Sequence, residues 1–168
     1  KGDFFEGGIR VPFTMQWPKK IKPGITYDKP IIALDVFATV ASAASAEKYI
    51  KNDIDGVDLL PYLTGDKFGL PHEYLYWQNP DKDIDVVRDE RYKYLRIKND
   101  EYIFDLKNDI SEETNIINSS KPIYNRLKSQ FKEWEKGMID PVFMDLGMGK
   151  EYNKLNPDRW YNDSNPKK

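Results

Sequence analysis

Lys1, Glu6 and Arg10 stand around the pair Gly7-Gly8, the densest grouping of chemistry-bearing residues in this 168-residue sequence. Consecutive glycines let a backbone take left-handed or closely approaching conformations, which suits a loop at the rim of a site. Beside such a loop a Lys ammonium can bind an oxyanion as a point charge, and an Arg guanidinium can hold a carboxylate bidentately. The same spacing also fits a plain turn in which Glu6 and Arg10 pair with each other.

The single histidine, His72, sits between Pro71 and Glu73 at the entry to an aromatic run. Its imidazole could hydrogen-bond a substrate or shuttle a proton, or simply bond a nearby carbonyl. Tyr76 and Trp77 alternate across a strand, so one is expected in the core while the other could stack on a sugar ring or pack at an interface. Arg88, Lys93 and Arg96 read as a basic ridge on a solvated face. Asp53, Asp55 and Asp58 do not fit a calcium loop, because the glycine is misplaced and no Glu follows at the twelfth position.

Composition narrows the chemistry further. With no Cys, a disulfide framework, a thiolate zinc site and a Cys nucleophile are excluded. One His excludes a multi-His metal site built from this chain alone, and no Gly-x-Ser-x-Gly elbow supports a serine triad. A net charge of −2 offers no long-range attraction to nucleic acid or anionic membrane. No apolar run approaches the ~20 residues of a membrane span. The first residues, Lys-Gly-Asp-Phe-Phe-Glu, lack an initiator Met and any signal-peptide pattern, so the chain is expected to be a piece of a longer one.

These residues need elements to position them. Residues 11–17 are rich in β-formers and predict a short strand, followed by a polar loop with Pro23-Gly24 as its turn. Asp35 is expected to cap a helix running through the alanines to Ala46, with Val36, Phe37, Val40 and Ala44 as its buried stripe. Residues 59–63 form a short helix or an extended segment. Four strands follow, around residues 73–77, 85–88, 92–97 and 102–106, with turns at Asp89-Glu90 and Lys98-Asn99-Asp100. Ser111-Glu112-Glu113 predicts a helical turn. A helix beginning near Pro122 then carries Ile123, Leu127, Phe131 and Trp134 towards the sheet and ends at Gly137. A strand and helix at 11–47 would be stranded alone, so that block expects a larger sheet from elsewhere.

The order of these segments resembles the C-terminal part of the type I, formylglycine-dependent sulfatases of the alkaline phosphatase superfamily. Lys1-Gly2-Asp3-Phe4-Phe5-Glu6-Gly7-Gly8-Ile9-Arg10-Val11-Pro12 is similar to the family's Lys-Gly-x-x-x-Glu-Gly-Gly-x-Arg-x-Pro signature. In family order there follow Trp17-Pro18, Asp35-Val36-Phe37-Ala38-Thr39, Asp55-Gly56-Val57-Asp58 through Thr64-Gly65, Pro71-His72-Glu73, Val87-Arg88, Tyr92-Lys93-Tyr94 and Phe104-Asp105-Leu106 through Glu112. The resemblance implies an α/β fragment, residues 1–66, ending the large sulfatase domain. It implies an α+β subdomain at 67–140, a four-stranded antiparallel sheet with a C-terminal helix, and an irregular tail at 141–168.

By the same resemblance Lys1 is the catalytic Lys that contacts the sulfate, and His72 and Trp77 are candidate substrate contacts on one wall of the cleft. The family's Cys-x-Pro-x-Arg motif, calcium ligands and catalytic histidines lie upstream of this Lys. Ca²⁺ and formylglycine are therefore expected in an N-terminal part outside this chain, with no cofactor in the fragment and no activity from it alone. The implied substrate is a sulfated carbohydrate or aryl sulfate, and the implied location is the periplasm or exterior of a bacterium. The chain alone is expected to show an exposed apolar face around Val11, Phe13, Ile32 and Phe37 and to oligomerise through it. The alternatives are a phosphonate or phosphate monoester hydrolase of the same superfamily and a non-catalytic glycan- or partner-binding module.

Overall fold

Period-two alternation and well-placed turn residues produce the sheet. The computed structural model describes residues 3–51, 53–80 and 82–139; Lys1 and the tail expected from residue 141 lie outside the described residues. Strands β1 (Leu75–Asn79), β2 (Ile84–Arg88), β3 (Tyr92–Ile97) and β4 (Asp100–Asp105) form an antiparallel meander in the order β1-β2-β3-β4. At the β2–β3 turn, Asp89 Oδ1 accepts the backbone N–H groups of Arg91 at 2.7 Å and Tyr92 at 2.6 Å, a side-chain-closed turn. Asp83 and Lys98 both take φ of 55° at the ends of the β2–β3 ladder, so two L residues accept the left-handed conformation there.

Register decides which side chains share a face. Val87, Tyr94 and Ile103 lie opposite one another across β2, β3 and β4 and pack on Leu127 and Phe131 of α4 (Lys121–Glu135). The expected stripe of α4 is the one found: Leu127 and Phe131 are buried, and Ile123 and Trp134 flank them. The other face carries Val86, Leu95, Phe104 and Leu106, covered by Phe4, Phe5 and Trp77. The sheet is thus sandwiched between a helix and the N-terminal loop. Asn115 closes the outer edge of β4, its Oδ1 accepting the N–H groups of Ile103 and Ile117.

The first third of the chain differs from expectation in instructive ways. Residues 10–17 contain no strand among the described residues, because a strand needs a ladder partner and none is supplied. Helix α2 (Leu34–Ala43) is present but stops at Ala43 rather than Ala46. Its buried residues are Asp35, Ala38, Thr39 and Ala41, while Val36, Phe37, Val40 and Ala44 face outward. The expected stripe exists, but its orientation is the reverse of the expected one. The polar side is buried because its groups are hydrogen-bonded: Thr39 Oγ1 donates to Asp35 O at 2.7 Å and accepts from Leu59 N at 3.0 Å. Nor is Asp35 a cap. It occupies the second helical position and accepts the N–H groups of Ile32 and Val57, both at 2.9 Å.

Residues 59–63 resolve to α3 (Leu60–Thr64), and a short 3-10 turn spans Glu47–Tyr49. Residues 111–113 form an open turn rather than a helical one, with Glu112 at φ 58°. No helix of the described residues is long and apolar enough to cross a membrane.

Candidate functional site

The loop at 3–10 folds on itself before it meets the sheet. Asp3 Oδ1 accepts the N–H of Phe5 at 3.1 Å, and the Phe5 carbonyl accepts from Gly8 and Ile9 at 2.8 and 3.1 Å, forming the single turn α1 (Glu6–Ile9). A Cβ on Gly8 would collide with the Asp3 carbonyl and carboxylate, whereas one on Gly7 meets nothing within 4 Å. Neither glycine has a positive φ. Close approach at Gly8 is therefore the part of the double-glycine expectation that the fold uses.

Glu6 then locks this turn to the sheet. Its side chain is 4% exposed, and it accepts from Arg88 Nη1 at 2.9 Å and from Lys93 Nζ at 3.3 Å. The Glu6 N–H donates to Glu112 Oε2 at 2.5 Å, and the other Glu112 oxygen lies 2.7 Å from Lys93 Nζ. Two carboxylates thus face one ammonium and one guanidinium, and the group is neutral as a whole. A Lys side chain with no exposed surface, as Lys93 has, is stable only because it is paired. Glu6 does not pair with Arg10. The solvated basic ridge is also corrected: Arg88 and Lys93 are committed inward, and Arg96 is bound to Asp83 and Asp85.

His72 is bound to Asp35 rather than to this cluster. Its Nε2 donates to Asp35 Oδ1 at 2.7 Å, and the Asp35 side chain has no exposed surface. The bond joins α2 to the segment entering β1. Trp77 lies on the Val86–Leu95–Phe104 face and lines a groove of about 1,220 Å³ between the sheet and residues 9–36. Tyr76 points to the opposite face and stacks on Trp134 at 5.0 Å, so the two aromatics divide between faces as expected. Glu6, Arg10, Phe13, Tyr27 and Arg88 line the same groove. The Tyr27 hydroxyl is buried without a hydrogen-bond partner among the described residues, and burial pushes its pKa up.

The groove's cations differ in availability. Lys29 is paired with Glu90, Arg88 with Glu6 and Arg91 with Asp105. The Arg91 hydrogen bonds hold the Asp105 carboxyl down at about 2. Arg10 is exposed and makes no ion pair among the described residues, which leaves its guanidinium open to an anion at the groove. Among the described residues no three His, Asp or Glu side chains come together to hold a metal ion, so these residues do not fit a calcium site.

Two members of the charge cluster, Lys93 and Glu112, were not picked out as site residues from the sequence. A signal for the first exists: Lys93 is two positions from Leu95, so period-two alternation puts it on a buried face. Glu112 carries no comparable pattern, since a loop holds it.

A family model described as N-sulphoglucosamine sulphohydrolase, C-terminal, matches residues 1–137. The chain is 45% identical over 76 residues to the steryl-sulfatase of Mus musculus, covering 45% of this chain and 12% of that protein. It is 37% identical over 109 residues to the uncharacterized sulfatase YdeN of Escherichia coli, covering 61% of this chain and 19% of that protein. The chain thus spans under a fifth of the curated relatives it matches. Among solved structures, Ps i-CgsB superposes with a TM-score of 0.64 at 21% identity, over 90% of this chain and 34% of that one, and has also been crystallised with k-i-k-neocarrahexaose.

Proposed function

The chain belongs to the N-sulphoglucosamine sulphohydrolase C-terminal family, and from that membership we propose that it completes the active site of a longer sulfuric ester hydrolase acting on sulfated carbohydrate. The observation that carries this reading is the family match itself, which begins at Lys1 and runs past the end of α4. Lys1 contacts the sulfate. Its ammonium neutralises charge on a sulfuryl oxygen and on the ester oxygen that departs as the S–O bond breaks. Arg10, exposed at the groove, adds a second positive charge beside the anion.

The nucleophile and the metal belong to the N-terminal part, outside this chain. The chain has no Cys from which a formylglycine could be made, and its described residues gather no calcium ligands. When bound there, Ca²⁺ supplies Lewis-acid chemistry at the sulfate. This chain's own residues bind the substrate and supply charge. The groove supplies the wall against which the substrate lies, and Trp77 gives it an aromatic surface for a sugar ring. A carbohydrate is favoured over a sterol by the amino-sugar sulfate in the family's description and by the oligosaccharide bound to i-CgsB. Export from a bacterial cell is the location we propose, by family resemblance.

The test uses the full-length protein with aryl sulfate, sulfated sugar and steryl sulfate as substrates. We expect Lys1→Ala to lower kcat by about 10²–10³-fold, the scale of losing one preorganised charge partner, and the sugar ester to be preferred over the steryl ester. Wild-type rates from Lys1→Ala, or no hydrolysis of any sulfate ester by the unaltered protein, would sink the reading. A steryl preference would overturn the substrate class alone.

A further inference from the structure

Hydrogen-bond parity decides which backbone groups are left over at the two edges of the sheet. The ladder between β2 and β3 closes with Asp89 N donating to Tyr92 O at 3.0 Å and Lys98 N donating to Asp83 O at 2.8 Å. The odd-numbered residues of β2 therefore bond to β3, and Ile84, Val86 and Arg88 bond to their β1 partners Asn79, Trp77 and Leu75. That leaves the N–H and C=O groups of Tyr74, Tyr76 and Gln78 pointing away from the sheet. No backbone group among the described residues meets them.

The opposite edge is sealed. The outward carbonyls of β4 all have partners: Asn115 Nδ2 donates to Glu101 O, Ile116 N to Ile103 O, and the N–H groups of Asn108 and Asp109 to Asp105 O. The outward N–H of Ile103 is held by Asn115 Oδ1. Exposed edges are normally blunted by charges, Pro or bulges. Strand β1 has none of these, for Leu75–Asn79 is uncharged, lacks Pro and pairs with β2 without a bulge. We propose that β1 is the seam of a two-fold homodimer, in which a second copy of this chain adds its own β1 antiparallel and one sheet runs through both copies. This inference is independent of the sulfatase reading above.

What commits the edge to a second copy is that its chemistry is self-complementary, as a two-fold interface requires. With Tyr76 opposite the partner's Tyr76, Tyr74 falls opposite the partner's Gln78, and every outward residue exchanges bonds with its opposite. Sliding the partner until Tyr74 faces Pro80 would lose a bond, because Pro has no N–H to give. The same register matches charge. On the α4 side of β1, Arg126 Nη1 donates to Tyr74 Oη at 3.0 Å, and at the other end Gln78 Nε2 donates to Glu135 Oε1 at 3.0 Å. Pairing Tyr74 with the partner's Gln78 therefore brings Arg126 towards the partner's Glu135, and symmetry makes the pair twice. Arg126 also holds Asp89, and its guanidinium has further N–H groups to spare. Between the two charge pairs Tyr76, stacked on Trp134, meets its own image. The two-fold axis passes through the sheet, so the Trp77 faces of both copies, and the grooves they line, open to one side.

The full-length protein is measured by sedimentation equilibrium across the micromolar range, where it is expected to be a dimer. Gln78→Pro deletes an outward N–H and places its ring in the seam, while the ladder to β2 keeps its bonds because that N–H faces away from it. Glu135→Arg, at an exposed position, sets like charges together at both ends of the seam. Each variant is expected to weaken self-association by about a hundredfold or more, the scale of like-charge juxtaposition at an interface. Tyr76→Cys, which opposes its own image, is expected to oxidise to a disulfide-linked dimer. Opposite residues of a bonded antiparallel pair lie about 5.5 Å apart at Cα, within disulfide reach. Gln78→Cys, whose opposite is Tyr74, is expected to stay unlinked.

A full-length wild type that stays monomeric overturns the proposal. If deletion of residues 141–168 turns that monomer into a dimer, those residues cover the edge instead; if it does not, the edge belongs to the remainder of a longer protein or to solvent. A dimer left intact by both Gln78→Pro and Glu135→Arg overturns the proposal equally, because association then runs through another surface. So does a dimer that cross-links through Gln78→Cys and not through Tyr76→Cys, since the register is then wrong. Should Gln78→Pro fail to fold, Glu135→Arg and the two cysteine variants carry the decision.

Discussion

A single carboxylate, Asp35, shows how much of this chain hangs on individual polar contacts. It accepts the N–H groups of Ile32 and Val57 and the His72 Nε2–H, all within 2.9 Å and without solvent exposure. It therefore ties the start of α2, the segment before α3 and the entry to β1 at one point. Asp35→Ala would leave two backbone donors and an imidazole without their acceptor, and a loss of about 3–5 kcal/mol is expected. His72→Gln removes one of the three contacts and is expected to cost about 1 kcal/mol. Urea unfolding followed by tryptophan fluorescence measures both, and equal losses for the two variants would contradict the hub. Residue types alone did not disclose this. The family resemblance points to Lys1, His72 and Trp77, but spacing along the chain does not report that His72 and Asp35, 37 positions apart, meet. The Glu6 quartet was hidden for the same reason, its members being spread from Glu6 to Glu112.

Elements were far more legible than their mutual arrangement. The four strands and α4 follow from alternation, turn residues and an i, i+4 stripe, all local signals. For α2, by contrast, periodicity identifies the residues that share a face without saying which face is inward. Its outcome depended on Asp35 and Thr39 finding partners at Val57 and Leu59. The attachment of α4 to the sheet also has a polar component. Glu101 on β4 accepts from Tyr94 at 2.6 Å, from Lys128 at 2.7 Å and from Tyr124 at 2.9 Å. Burial alone would raise its pKa, but these three bonds outweigh burial and hold the carboxyl at about 2 against an ordinary 4.5. Because the folded value is depressed, the stabilisation is present in full above pH 4.5 and is lost as the pH falls through 2. Glu101→Gln should therefore be less stable than wild type at neutral pH. The gap should close as the pH drops from about 5 towards 2, read as converging urea midpoints. A gap independent of pH would mean that the charge of Glu101 contributes nothing.

At the scale of the whole molecule the outward stripe of α2 is the main anomaly. Phe37 and Val40 are each 60% exposed, with Leu34 at 53%, and in residues 11–13 Val11 is 65% and Phe13 47% exposed. Of the face anticipated from the sequence, Ile32 alone is partly covered. Under the function proposed above, for a chain that spans 12–19% of the relatives cited, the cover is the remainder of a longer protein. The alternative is a second copy of the same chain. These make opposite demands on one pair of substitutions, Phe37→Lys with Val40→Lys. In the isolated chain, self-association would bury the face, so wild type should grow in light-scattering mass with concentration and the double variant should not. If the remainder of a longer protein covers this face, the same two side chains are buried against it there. Each buried Phe or Val there contributes about 1.5–3 kcal/mol, so the double variant should be destabilised by several kcal/mol. Improvement of the isolated chain together with damage to the full protein identifies the face as an internal interface of a larger fold. A monodisperse wild-type monomer, with the variant harmless in the full protein, would instead require the stripe to remain solvent-facing in the working enzyme.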